Sequence, residues 1–380
     1  MASVATLYAF VVALGLPYDE SAHWSNVHYL LQEHRLPQLG HPHTAYEAQM
    51  GPVAYAVDAL VAAPLRSMGA TEAVQAHGVR LLGLPVLAGL VWVVARLVLL
   101  ARPGVTRAVA LLAALLAVFN PMVVAMTMSV QNDSLALLLG LVALDQGLRA
   151  TDARAELVTG LLIGLALLTK LTAWPVGPVL AVIAFWRFRA AALPHLARLA
   201  LPALAVAGWW FARNLDLYGD LTGQRGVAAA GYRFDSYPSH GAHALTHMAS
   251  QTVTYLWLPV EYVRNTVSTP GPIKAVVVVV TVIVGASLFL LRRLCQPAAA
   301  ALLLAGALAL VVWAVTFLTV QAVAPRVAYL GLGAWALAAS VPLQRLAPRI
   351  ACLVVGGFLM TVHLWFLIAV SPVGWSPGVA

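Results

Sequence analysis

From Ala298 to Thr319 the chain carries no charged side chain. A helix needs about 20 largely apolar residues to cross the hydrocarbon of a bilayer. In water, so long an apolar surface would have nothing to face. The run is not isolated. Reading between charges and Pro/Gly breaks, apolar segments lie near 2–17, 78–101, 105–120, 134–149, 155–171, 173–187, 197–213, 274–291, 298–319, 327–343 and 350–370. Composition agrees, with 62% hydrophobic and 9% charged residues, where an average soluble domain carries about 25% charged. There is too little charge to coat a water-facing surface. That excludes a soluble enzyme, a disordered tail and a secreted disulfide scaffold. The expected fold class is all-α, a polytopic transmembrane helical bundle of about 11 spans.

The charges test this arrangement. With the N-terminus cytoplasmic and each segment crossing once, the inner loops collect 12 of the 22 basic residues and three of the 14 acidic ones. Cytoplasmic loops accumulate Lys and Arg, so the formal net charge of +8 follows without nucleic acid. Dropping one span would invert everything downstream, so an odd count is expected, with the C-terminus outside. Residues 1–17 lack the basic n-region of a signal peptide and are read as a retained anchor. Cys295 and Cys352 are expected to form no disulfide and to do no thiol chemistry. Two outer stretches, 18–77 and 214–273, are too long for turns, and loops of that length are usually functional. Within the first, the interrupted apolar stretch 44–66 is expected to form helices lying at the interface. The whole of 1–380 is read as one membrane domain with these two elaborations.

Chemistry concentrates on the outer side. Pro17-Tyr18-Asp19-Glu20-Ser21-Ala22-His23 follows the first span directly. Charges at a membrane surface are costly unless paired or functional. Adjacent carboxylates can divide labour, one ionised as a base and the other neutral or metal-bound. The bland account is that Asp19 and Glu20 are flanking charges. Asn132 and Asp133 open the fourth span, where both are ordinary helix N-caps. Lys170 ends the fifth span, and snorkelling would explain it. Arg213 ends the seventh and Arg326 opens the tenth. Three cations are thus expected on one face, where an anionic lipid head group would want them and Arg can grip a phosphate bidentately. His23, His28, His34, His41 and His43 crowd the first outer loop without a zinc-protease spacing. Hydrogen-bonding roles are favoured for them over metal binding. A paired carboxylate beside histidines is compatible with a divalent cation or with none. A Ser-His-Asp triad, a P-loop and a dinucleotide fingerprint are absent.

Pro17 to Pro37, reading P-Y-D-E-S-A-H-W-S-N-V-H-Y-L-L-Q-E-H-R-L-P, resembles the first outer loop of GT-C class glycosyltransferases. The likeness is to the bacterial phospholipid-carrier-dependent branch, related to protein O-mannosyltransferases and the lipid A aminoarabinose transferase. Tyr46 to Tyr55, which includes Glu47, is similar to the later part of that loop, with Gly51 where the family usually has the first of two prolines. Gln131 to Ser134, Gly164 to Lys170, Gly208 to Asn214 with Tyr218-Gly219-Asp220, and Gln321 to Tyr329 are similar to later blocks, in family order. In the last, Val327 and Ala328 separate Arg326 from Tyr329.

The resemblance implies transfer of a sugar from a polyprenyl-phosphate donor to an acceptor hydroxyl on the outer face of a bacterial plasma membrane, with inversion. Mannose and other hexoses or pentoses are all compatible. It implies Asp19 as general base, Glu20 orienting the acceptor or assisting, and Lys170, Arg213 and Arg326 on the donor phosphate. His23, Glu47, Asn132 and Asp133 are expected to shape the loop or meet the acceptor. Many members carry a further soluble C-terminal domain, so the compact length suggests a small or lipid-linked acceptor. The competing reading is a transporter or flippase for a lipid-linked or anionic solute, whose ionisable residues would instead gather at the midplane.

Overall fold

In the computed structural model, the structure describes residues 1–231, 252–260, 262–264, 266–291, 296–320 and 325–372. Among them there is no β-strand. The helices are α1 (Ala2–Val11), α2 (Glu20–Glu33), α3 (Val53–Ser67), α4 (Glu72–Arg80), α5 (Gly83–Ala101), α6 (Arg107–Val118), α7 (Pro121–Thr127) and α8 (Asp133–Arg149). They continue with α9 (Ala153–Thr169), α10 (Val176–Phe188), α11 (Ala192–Tyr218), α12 (Gln224–Ala229), α13 (Gly271–Leu291), α14 (Pro297–Val320), α15 (Leu332–Leu343) and α16 (Pro348–Val370). Short 3₁₀ segments lie at Leu171–Ala173, Arg189–Ala191 and Pro325–Gly331.

The all-α class is as the apolar periodicity requires. The described residues contain six helical stretches long and apolar enough to cross a membrane, at Glu72–Ala101, Leu171–Tyr218, Gly271–Leu291, Pro297–Thr316, Arg326–Leu343 and Pro348–Val370. The bent pair α6 and α7, with 69° between them, makes a seventh if it is one span. The difference from eleven has a local cause. Several expected segments form shorter helices, 10 residues in α1 and 17 each in α8 and α9. The segments expected at 173–187 and 197–213 are the separate helices α10 and α11, and α10 has only 13 residues. The α6–α7 bend falls at Asn120-Pro121, where Asn120 Oδ1 accepts the Val123 N–H at 3.1 Å. In the long stretch 18–77 the helices are α2, α3 and the start of α4; of the 44–66 expected to be helical, α3 covers the part from Val53, while 44–52 form turns and coil. Of the second, residues 232–251 and Cys295 beyond it lie outside the described residues; Cys352 is an exposed free thiol.

The chain divides into two compact units. One comprises residues 1–18, 87–126 and 235–375, and the other residues 19–86, 127–234 and 376–380. In the first, α6 packs on α15 and α16, α15 on α13 and α14, and α1 on α16. Its buried Tyr8 and His363 are joined by hydrogen bonds, as a medium without water favours. Tyr8 Oη lies 2.9 Å from His363 Nδ1, and His363 Nε2 lies 2.9 Å from the Phe119 carbonyl. Outward positions such as Phe289, Leu353 and Ile368 are apolar and exposed, the pattern of a lipid-facing surface.

In the second unit α9 is central, packing on both α8 and α11, while α10 packs on α8 and α11. Gly160 and Gly164, four apart, let the α9 and α11 backbones approach. A Cβ at Gly160 would stand 2.5 Å from the Leu199 carbonyl oxygen, and one at Gly164 2.7 Å from Val206 Cβ. Small residues at this spacing replace the hydrophobic drive that helices lack in lipid. Above this layer, α2 packs on α3, α3 on α4, and α3 also touches α9. Gly164→Leu is expected to destabilise the protein by at least the 1–3 kcal/mol typical of overpacking. Gly177→Leu on α10, where nothing lies within 4 Å of the added carbon, is the control and should leave the detergent-solubilised thermal midpoint unchanged.

Candidate active site

The second unit holds most of the residues singled out from the sequence. Asp19 occupies the N-cap of α2 but does not cap it: its backbone is left-handed, with φ 67°, and its side chain makes no bond to the first turn. An Asp in this place ordinarily accepts an amide of the helix's first turn, as Asp152 does for Ala155 at 2.8 Å at the start of α9. Asp19 instead accepts a hydrogen bond from the Tyr46 hydroxyl, and it is buried. A non-glycine residue held at positive φ costs of order 1–3 kcal/mol and persists where the surroundings over-determine it.

What over-determines it is the next residue. Glu20 is 2% exposed and Arg80, at the end of α4, is 0% exposed. Arg80 Nη2 donates to Glu20 Oε2 at 2.6 Å and Nε to Oε1 at 2.8 Å, a bidentate pair. The Val130 amide adds a third bond to Oε1 at 2.9 Å. Glu20 therefore joins α2, α4 and the segment leading into α8. The two carboxylates, adjacent in sequence, have separate surroundings.

The loop carrying Tyr46 is clamped along its length. Tyr55 donates to the Glu47 carbonyl at 3.2 Å and lies 3.0 Å from His23 Nδ1, so the buried His23 and Glu47 belong to one network. Trp210 Nε1 and Asn214 Nδ2 each donate to the Gln49 carbonyl at 3.0 Å. Asn132 Nδ2 donates to Met50 Sδ at 3.0 Å. At Gly51 a Cβ would sit 1.8 Å from the Leu168 carbonyl oxygen, so only glycine permits this approach to the end of α9.

Asn132 is the N-cap of α8 yet makes no side-chain cap bond. Asp133 pairs with Lys170 Nζ at 2.8 Å, both side chains buried, so the N-cap and snorkelling accounts of these residues give way to a buried ion pair. Arg213 donates through Nη2 to the Pro37 carbonyl at 2.9 Å, and its guanidinium lies 4.6 Å from the Trp210 ring centroid. Arg326 belongs to the first unit, with its guanidinium 5.8 Å from the ring of Tyr18. Among the described residues no group of three or more His, Cys, Asp or Glu side chains comes together as a metal site. Sequence reasoning missed Arg80 and Tyr46. The available signal for Arg80 was an arginine inside an apolar segment, which has to be paired.

With this geometry in place, comparison with known proteins is informative. Residues 71–210 match the family described as dolichyl-phosphate-mannose-protein mannosyltransferase. The fold is similar to that of ArnT from Cupriavidus metallidurans solved bound to undecaprenyl phosphate, with TM-score 0.60 and 16% identity over 97% of this chain and 68% of that one. It is also similar to the Archaeoglobus fulgidus oligosaccharyltransferase tethered to an acceptor peptide, with TM-score 0.56 and 14% identity over 99% of this chain and 55% of that one. No curated protein matches the sequence. The chain has a GT-C-like fold. It spans just over half the length of the archaeal enzyme.

Two substitutions test the site's construction. Arg80→Leu leaves Glu20 charged and buried, which typically costs 3–5 kcal/mol, whereas Glu20→Leu with Arg80→Leu should recover much of that; thermal midpoints of the three proteins measure it. Asp58 on α3 is buried with Oδ2 lacking a hydrogen-bond partner, and burial raises its carboxyl well above the usual range. The folded protein then holds that proton to higher pH than the unfolded chain, so stability falls as pH rises from the unfolded value of about 3.9 toward the folded one. Asp58→Asn should raise the midpoint at pH 7 and raise it less at pH 4.

Proposed function

We propose that the protein is a membrane glycosyltransferase that moves a hexosyl or pentosyl group from a polyprenyl-phosphate donor to an acceptor hydroxyl at the outer membrane face, with inversion. The observation that carries the proposal is the separation of the acidic pair. Glu20 is consumed by Arg80 and Val130, while Asp19 is turned out of its helix by a left-handed cap toward Tyr46. We assign the role of base to Asp19 rather than to the carboxylate held by Arg80. The matching of residues 71–210 and the GT-C fold support the class of reaction.

In this reading the acceptor hydroxyl approaches Asp19, which takes its proton as the oxygen attacks the anomeric carbon. The bond from that carbon to the phosphate oxygen breaks on the opposite side, and polyprenyl phosphate leaves with the electron pair. The base has to lie within hydrogen-bond reach of the attacking hydroxyl. Cations aimed at the charge developing on the leaving phosphate lower the barrier. Lys170 is the first candidate, held in position by Asp133, with Arg213 and Arg326 as further cations for the donor. Glu20 acts as a positioning residue for Asp19. His23, Glu47 and Asn132 keep the 45–51 loop in the shape that presents Tyr46.

The test is transfer from a panel of radiolabelled polyprenyl-phosphate sugars by purified protein in bilayers, wild type beside Asp19→Asn. The expected result is label in an acceptor fraction with wild type and a loss of about 10²–10⁴-fold with the variant, the usual worth of a positioned base. Equal label from both proteins rejects Asp19 as base. Parallel reactions in EDTA decide whether a divalent cation takes part. No transfer from any donor by folded protein, together with flux of a lipid-linked or anionic solute, would overturn the enzyme reading in favour of a transporter.

A further inference from the structure

The second unit has a cleft at the ends of its helices remote from Asp133 and Lys170. Asp133 opens and Arg149 closes the 17-residue α8, a separation of roughly 24 Å at 1.5 Å per residue. At the far end, α8, α9, α10 and α11 line a small, partly open cleft of about 30 Å³, room for about two waters or one small anionic group. Leu180, Ile183, Ala184 and Leu199 form its apolar wall, and Arg187, His195 and Glu156 its polar side.

The charges around it are not evenly matched. Glu156, the only carboxylate among the described residues lining the cleft, is already engaged: His195 Nδ1 holds one oxygen and Arg198 Nη1 the other at 2.9 Å. His195 is itself stacked on Phe188, with ring centroids 3.6 Å apart and planes 5° from parallel. The cleft therefore offers an anion no free negative charge. Arg187 spends one N–H on the Leu148 carbonyl, at 2.9 Å, and its side chain is otherwise exposed. A guanidinium has five N–H donors, and its planar fork suits a phosphate.

The surroundings name the rest of the ligand. Phe185 and Trp186, beside Arg187 on α10, are 54% and 48% exposed, and Leu157, Leu161 and Leu193 are exposed as well. Trp is enriched at the headgroup level of a membrane, which suits Trp186. An apolar wall below, a cation at the rim and exposed aromatics beside it suit an amphipathic anion better than a free one.

We infer that this cleft binds the phosphate headgroup of an anionic membrane phospholipid, with Arg187 as its main ligand and the acyl chains lying over α10 and α11. The site is separate from Asp19 and does not depend on the reaction proposed there. One basic residue near a membrane surface contributes about fivefold to binding an anionic lipid.

The test is native mass spectrometry of the full chain released from bilayers of equal phosphatidylglycerol and phosphatidylcholine, with thermal midpoints measured alongside. Wild type is expected to retain phosphatidylglycerol preferentially, and Arg187→Gln to lose about fivefold of that enrichment. Ala184→Phe keeps every charge and fills the cleft, so it should lose the enrichment too; it decides the matter if Arg187→Gln does not fold. Equal enrichment in wild type and the folded variants overturns the site. Displacement of the lipid by excess inorganic phosphate, with no phosphatidylglycerol preference left, overturns the lipid assignment.

Discussion

The buried pair of Glu20 and Arg80 is the constraint on which the candidate site depends. Its two short hydrogen bonds, with a third from Val130, join residues 60 and 110 positions apart in the chain. A buried pair of this kind contributes little net stability compared with an apolar replacement, because desolvation offsets the attraction. Its value is positional. Once Glu20 is fixed, Asp19 has little freedom, and the left-handed cap turns its carboxylate away from the helix and toward Tyr46. The neighbouring loop is then fixed independently from α11, through Trp210 and Asn214 on the Gln49 carbonyl.

Gly51 and the glycine pair of α9 make this arrangement possible at the level of backbone approach. Gly160 and Gly164 bring α9 against α11, and Gly51 brings the loop against the Leu168 carbonyl two residues before Lys170. The same helix therefore carries the close packing of the unit and, at its end, the Lys170–Asp133 pair. Its other end begins with Glu156, which is tied to α11 through His195 and Arg198. Polar groups thus bracket its apolar stretch.

Much of the fold was legible in the sequence because its signal is local. Apolar runs such as 298–319 and 350–370 lie within α14 and α16, and the interrupted stretch 44–66 supplies most of α3. The number of spans was less legible, because an apolar run does not say where a helix ends: the runs at 134–149 and 155–171 form helices of 17 residues. Asp19 and Glu20 stood out as chemistry, since two carboxylates beside a membrane segment demand an explanation. What separates them did not, because it comes from Arg80 and Tyr46, distant positions brought together only by folding. Lys170 and Asp133 were each readable as ordinary terminal residues, and only their 2.8 Å contact shows them to be partners. Arg213 was expected at a phosphate. Its observed contacts are with Pro37 and Trp210, which tie α11 to the first outer stretch.

The central claim is that the acidic pair divides its work, Asp19 reacting and Glu20 holding. Measuring both the thermal midpoint and the single-turnover transfer rate per folded molecule for Asp19→Asn and Glu20→Gln, in the same bilayer and with the same donor, tests it most directly. The Asp19 variant is expected to keep its midpoint and lose the rate, while the Glu20 variant loses several degrees and a smaller share of the rate in its folded fraction. A stable Glu20 variant without activity, beside an Asp19 variant that still transfers sugar, would contradict it.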